Sequence, residues 1–224
     1  MIDFILSQGS SYAAGLDRLV LLILLIVGFW FLLAQSIFFG FIMKFRAKPG
    51  QKAQYITGKE KHQKRWVTYP HLAVLVFDVA IVIASFNVWY TIKMDLPPAD
   101  AEIRVIGQQW AWTFQHPGAD GTLDTPDDIF TIDELHVENG KTYHYKLESR
   151  DVLHDFSVPV WRLKQDAVPG RSITGWFQPT ESGTFDVQCA EICGFGHGLM
   201  AARVIVEDAG QHADWVAANT PEAS

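Results

Sequence analysis

The two cysteines of this 224-residue chain, Cys189 and Cys193, stand four positions apart in the stretch CAEICGFGHGLM, which also holds His197 and Met200. Two thiols, an imidazole and a thioether in one short loop suggest several chemistries. A disulfide suits an oxidising compartment but leaves His197 and Met200 without a role. A closed zinc site asks for four Cys or His ligands, and this loop offers three. A single blue copper asks for two His, one Cys and a weak axial Met, so the loop has one thiol too many and one imidazole too few. A second imidazole must come from elsewhere. His154, in SRDVLHDFSVP, follows a strand-like run and precedes a Val-Pro turn, which places it at a strand end; the other histidines read as structural residues. With His154 the donor set becomes two thiolates, two imidazoles and one thioether, and soft ligands of this kind select copper. Two thiolates can bridge two metal ions. Each ion would then take one histidine, and Met200 and a loop carbonyl would be the weak outer ligands. An electron shared over such a pair spreads the geometric change of redox over more bonds, which favours fast one-electron transfer.

These ligands need a frame, and the chain provides one after about residue 100. EIRVIGQQWAWTF, IFTIDELHV, KTYHYKLES, SITGWFQP, GTFDVQC and ARVIVED are short runs rich in β-branched and aromatic residues. ENGK, VPGR and ESGT between them are turn signals, and the pattern predicts an all-β sandwich or barrel. The acidic stretch HPGADGTLDTPDDIF, residues 116–130, lacks the spacing and terminal Glu of an EF-hand and reads as a solvated hairpin loop. The stretch from Gln211 reads as a short helix with a frayed end.

Before the sandwich the composition changes. Leu19 to Met43 contains no charged residue, and Leu72 to Ile92 is largely apolar but carries Asp78, Ser85 and Asn87. Each is long enough to span a bilayer as a helix. Between them eight Lys and Arg are opposed by one Glu, and basic loops remain on the cytoplasmic side. Both termini are therefore expected on the outer face. The first block is too long, and ends too charged, for a cleaved signal core; residues 1–16 carry no legible signal about processing. From Lys93 onwards nine Lys and Arg stand against twenty-one Asp and Glu. Such a domain does not suit nucleic acid; it suits solubility or a basic protein partner. Asp78 is an ionisable residue inside a span and so a functional candidate. The expected division is an N-terminal outer segment at 1–18, a transmembrane hairpin at 19–92 with its basic loop at 44–71, a linker at 93–100 containing Pro97 and Pro98, a β domain at 101–210 and a tail at 211–224.

CAEICGFGHGLM resembles the Cys-x-Glu-x-Cys-Gly-x-x-His-x-x-Met loop of subunit II of cytochrome c oxidase, which binds the dinuclear copper centre called CuA. DVLHDFSVP and KQDAVPGR resemble the segment that brings the remote histidine, and GQQWAWTF resembles that family's Gly-His-Gln-Trp-Tyr-Trp-Ser segment. The resemblance implies two transmembrane helices followed by a cupredoxin-like sandwich, in a bacterial inner membrane with the copper domain on the periplasmic side. It implies that Cys189 and Cys193 bridge the coppers, that His154 and Met200 complete one, and that His197 and the backbone oxygen of Glu191 complete the other. It further implies that the Glu191 side chain reaches a magnesium ion shared with subunit I, that Trp110 is the electron-input residue, and that Asp151 lies at the docking surface for cytochrome c or a cytochrome c domain. Trp112 is expected simply to pack the sandwich. Haem would be held only by a partner subunit, since no Cys-x-x-Cys-His is present here. Oxidase subunit I, further oxidase subunits and membrane lipid are the implied neighbours, with oxygen reduction and proton pumping carried out by the whole complex. Ala111 and Gln108 depart from the Tyr and His usual in the family. The glutamate that relatives place at the start of the second helix is not evident in RWVTYPHLAV; Asp78, deeper in that helix, is the nearest substitute for a contact with a proton pathway. The copper subunit of a nitric oxide reductase and a membrane-anchored copper-delivery protein are the competing readings.

Overall fold

The computed structural model describes residues 7–52 and 55–221. Two long helices come first, α1 at Ala13–Lys44 and α2 at Lys61–Trp89, the latter continued by a π-helical turn at Tyr90–Met94. Both are long and apolar enough to cross a membrane. The second helix begins at Lys61, well before its apolar span. Lys, Gln and Arg are good helix formers, so the basic loop between the spans is helical in its final part. Pro70 lies within α2. It costs a backbone hydrogen bond that helices of this kind make good with neighbouring groups. The two helices, residues 18–89, form one compact unit. In it the Trp30 and Phe77 rings meet edge-on at 5.7 Å. A groove of about 560 Å³ is lined by Trp30, Leu33, Ile37, His71, Leu75 and Asp78 among others.

The second unit contains residues 90–221 together with the described residues up to Asp17. Its ten strands are β1 Ala101–Gln108, β2 Ala111–His116, β3 Ile129–Ile132, β4 Glu134–Glu138, β5 Tyr143–Ser149, β6 His154–Val158, β7 Leu163–Ala167, β8 Ile173–Phe177, β9 Gly183–Cys189 and β10 Ala201–Glu207. They form two five-stranded sheets, ordered β3-β2-β1-β5-β8 and β4-β10-β9-β6-β7. Most neighbours are antiparallel, but β1 runs parallel to β5 and β10 parallel to β4. Alternation sets the core. Along β10 the residues Ala202, Val204 and Val206 turn inwards, and along β9 Val187 and Cys189 do the same. They meet Val105, Phe114, Tyr145, Leu147 and Phe177 of the other sheet in one buried cluster. ENGK, VPGR and ESGT fall between strands or at a strand start, as their turn chemistry requires.

Carboxylates of the acidic β2–β3 connection accept hydrogen bonds from its own surroundings. Asp124 pairs with Arg104 at 2.7 and 3.0 Å, Asp128 accepts from the Asp124 amide at 2.8 Å, and Asp127 accepts from the Asp120 amide at 3.1 Å. A third helix, α3 at Ala209–Asn219, starts two residues before the expected tail. Asp208 and Gln211 close it with a capping box.

The N-terminal residues hold a structural surprise. Gly9 donates its amide to Val160 O and Ser11 to Gln178 O, Thr180 donates to Gly9 O, and Ser10 Oγ reaches Trp161 O at 2.8 Å. Ser10, Tyr12 and Ala13 are buried, and the Tyr12 ring meets Trp176 edge-on at 5.1 Å. Asp17 takes Arg162 through two oxygens, at 2.8 and 2.9 Å. This segment is therefore part of the sandwich and pairs with the backbone just past β8. The expected segment's residues 1–6 lie outside the described residues.

Candidate metal centre

Three separate parts of the sandwich converge at one end. Cys189 is the last residue of β9, and its inward alternation with Val187 carries the thiol to the core rim. The β9–β10 connection then holds Cys193, His197 and Met200. Its end is pinned by the Cys189 amide on Met200 O at 3.2 Å and by the Ala190 amide on Asp155 O at 3.1 Å. A 3₁₀ turn at His197–Leu199 brings His197 and Met200 round to the same side. His154 opens β6, whose Phe156 is registered with Cys189.

The donor atoms cluster tightly. Cys189 Sγ lies 3.7 Å from Cys193 Sγ and 3.9 Å from His154 Nδ1, while Cys193 Sγ lies 3.7 Å from His197 Nδ1 and 3.8 Å from Met200 Sδ. The Glu191 carbonyl is 3.2 Å from Cys189 Sγ. A disulfide needs sulfurs about 2.05 Å apart, and both thiols are free. The same 3.7 Å fits two sulfurs bound to a common ion, because two metal–sulfur bonds of about 2.3 Å span that gap at an open angle. His154, Cys189, Cys193 and Met200 are all buried. The residues thus fit a soft metal: five sulfur and nitrogen donors converge in a water-poor pocket, which is a donor set for copper. Burial, reinforced by the neighbouring Cys189 thiol, pushes the Cys193 thiol up to about 11. Metal uptake at Cys193 must therefore expel its thiol proton.

A second layer of contacts orients these donors. His154 Nε2 donates to Asp151 Oδ1 at 2.8 Å, leaving Nδ1 turned to the sulfurs. Burial raises the Asp151 carboxyl, but hydrogen bonds from the Gln109 amide, the His154 ring and the Val152 amide outweigh it and hold the pKa below the ordinary value. Asp151 Oδ2 takes the Gln109 amide at 2.7 Å, and the Gln109 side chain donates to Cys193 O at 2.8 Å. Gly107 leaves room for the His154 ring, since an added Cβ would lie 3.1 Å from His154 Cδ2 and 3.1 Å from Trp112 Cζ3.

Trp110, half-buried, lies over the loop with its ring centroid 4.4 Å from that of the exposed Phe195. Trp112 is buried, and its centroid lies 6.0 Å from His154. Asp151 stands next to the centre with an exposed edge, and the Glu191 side chain is half-buried on the loop. Asp78 lies in the helical unit, on its groove.

Sequence reasoning missed Gln109, Gly107 and Asp155. The first sits inside the aromatic motif and gave a signal only through its neighbours. Asp155 faces Asp166 across the β6–β7 ladder, and burial together with that carboxyl raises it to about 7. Only strand register reveals this pair.

Comparison with known proteins places the chain and its fold among relatives. The family model for the periplasmic domain of cytochrome c oxidase subunit II matches residues 128–208. The alternative cytochrome c oxidase subunit 2 of Bradyrhizobium diazoefficiens is 36% identical over 198 residues, covering 78% of this chain and 69% of that protein. Cytochrome c oxidase subunit 2 of Thermostichus vulcanus is 41% identical over 116 residues, 52% of this chain and 32% of that one. The crystal structure of the periplasmic domain of subunit II of cytochrome oxidase from Bradyrhizobium japonicum superposes with a TM-score of 0.50 at 27% identity, over 56% of this chain and 96% of that domain. Two long apolar helices followed by a cupredoxin-like sandwich are thus accounted for by common descent: the chain belongs to the family of subunit II of cytochrome c oxidase.

Proposed function

We propose that this chain is the electron-input subunit of a terminal respiratory oxidase, accepting electrons from cytochrome c and delivering them to haem in subunit I. The observation that carries the reading is the convergence of His154, Cys189, Cys193, His197 and Met200, with sulfur–donor separations of 3.7–3.9 Å. These side chains and the Glu191 carbonyl hold a dinuclear copper centre. That centre supplies one-electron acceptance and release with little structural change. The protein supplies the rest. Asp151 fixes the His154 ring, and the sandwich core excludes water from the thiolates. Trp110 packs on the loop as the electron-input residue, and the acidic outer domain steers a basic cytochrome c, with Asp151 at the docking rim. The two helices anchor the chain in a bacterial inner membrane. The basic loop lies in the cytoplasm and the sandwich on the periplasmic side. Asp78 contacts subunit I, and the Glu191 side chain reaches a magnesium ion shared with it. Oxygen reduction and proton pumping belong to the whole complex.

The test is made on the full chain in detergent, loaded with copper. The reading expects two copper ions per chain and an electron paramagnetic resonance spectrum with the spin shared over both nuclei. One copper with a single-nucleus pattern overturns it. Cys193→Ser should abolish the shared pattern. A copper-delivery protein would bind copper without this pattern and would not accept electrons from reduced cytochrome c. Oxygen and nitric oxide chemistry are separated by the metal ligands of the subunit that copurifies with the chain.

A further inference from the structure

The β1–β2 turn reaches across the β9–β10 loop through two contacts that the metal ligands do not require. The Gln109 side-chain amide donates to the carbonyl of Cys193 at 2.8 Å, while its backbone amide holds Asp151, the carboxylate that orients His154. One residue thus links the loop that bears Cys193 to the strand that bears His154. Beside it the Trp110 indole lies against Gly196: an added Cβ there would come within 2.4 Å of Trp110 Cδ2 and 2.7 Å of Cγ. At Gly194, with φ +124, an added Cβ would come within 2.9 Å of Gln109 Nε2. Gly196 admits a close approach of the rigid indole that a side chain would block, and Gly194 holds a positive φ that other residues rarely adopt.

We propose that Gln109 is a positioning residue of the metal centre: its side-chain N–H on the Cys193 carbonyl, with Trp110 seated on Gly196, shapes the cysteine loop before metal arrives. This inference rests on the copper reading above. The physical reason is preorganisation. An eleven-residue connection that carries three donors and two well-placed glycines loses considerable backbone freedom when it closes on metal. A template that has already ordered the Cys193–Gly196 backbone removes part of that cost from the binding step. The Cys193 carbonyl is a suitable handle because it belongs to a ligand residue, so holding it restrains the backbone from which the thiol extends. Outer contacts of this kind typically change metal affinity by about 10–100-fold.

The experiment compares the full chain in detergent with Gln109→Glu, which keeps the shape and the backbone amide but removes the donor, and with Gln109→Lys, which restores a donor. Two quantities are read: release of copper to a chelator, and hydrogen exchange of the 190–200 peptide in the metal-free chain. Gln109→Glu should release copper about 10–100-fold faster and exchange faster in that peptide, and Gln109→Lys should recover most of both. Gln109→Glu indistinguishable from the parent chain overturns the proposal. So does Gln109→Lys behaving like Gln109→Glu, and so does global loss of fold in Gln109→Glu by circular dichroism, which would make the residue merely structural. If the parent chain fails to bind two coppers, the functional reading fails instead, and the metal-free exchange comparison still judges Gln109.

Discussion

Asp151 Oδ1 accepts the Nε2 proton of His154 at 2.8 Å, and the same ring directs Nδ1 at Cys189 Sγ, 3.9 Å away. A neutral imidazole carries one proton, and the carboxylate fixes which nitrogen carries it. The carboxylate expected only at a docking rim therefore also sets the tautomer of a proposed copper ligand. Asp151→Ala should weaken copper binding by about 10–100-fold, measured by chelator competition on the full chain. Asp151→Asn, which keeps an acceptor, should lose less. If Asp151 acted in docking alone, copper affinity would stay unchanged, and only the salt dependence of the reaction with cytochrome c would move.

A side chain at Gly107 is predicted to crowd His154 and Trp112. An alanine Cβ there meets His154 Cδ2 and Cγ at 3.1 and 3.2 Å and Trp112 Cζ3 at 3.1 Å, in a fully buried place. Overpacking of this sort costs about 1–3 kcal/mol. Gly107→Ala should lower the unfolding midpoint and weaken copper binding together, since the displaced ring is a proposed copper ligand. A fall in stability with unaltered copper affinity would show that Trp112 alone yields.

How far these features were legible follows from their range along the chain. The apolar spans, the turn signals and the loop of soft donors are local patterns, and the structure places the helices and strands where they point. His154 was found because a donor count was incomplete and one histidine sat at a strand end. Gln109 acts on Cys193 across 84 positions, and Asp17 on Arg162 across 145. No periodicity encodes such pairings; they appear only when strand order is known. The N-terminal segment was silent for the same reason: its glycine and serines look like linker, and only the backbone just past β8 and the Trp161 carbonyl give them partners.

The Asp17–Arg162 pair should matter to stability. Both side chains are largely buried, at 9% and 12% exposure, and Gln8 adds a hydrogen bond to Asp17 at 2.8 Å. Removing one partner of such a pair leaves a poorly solvated charge, at a typical cost of about 3–5 kcal/mol. Asp17→Ala should lower the unfolding midpoint and open the residues before Asp17 to proteolysis. Replacing both residues by apolar ones should restore much of the loss. Additive losses in the double variant would argue against a direct pairing.

Acid should loosen the far end of the sandwich, away from the sulfur cluster. His116 is buried, its Nε2 lies 3.2 Å from Thr131 Oγ1, and the Trp215 ring of α3 lies edge-on at 5.0 Å. Burial, then the neighbouring His136 and His212, lower its pKa to about 3. Around it Glu207 joins His136 at 3.0 Å and His212 at 2.9 Å, and Glu134 lies 3.9 Å from His136. The folded state thus keeps His116 neutral, whereas the unfolded chain protonates it near pH 6.5. Unfolding then takes up a proton, so the contribution of this group is intact above about pH 6.5 and declines as the pH falls towards 3, by up to about 1.4 kcal/mol per pH unit. His116→Gln removes the titration. The difference in unfolding free energy between the parent chain and this variant should be flat above pH 7 and should shift in favour of the variant as the pH drops from 6.5. A difference independent of pH over that range would mean that His116 takes up its proton at the same pH in the folded protein as in the unfolded chain.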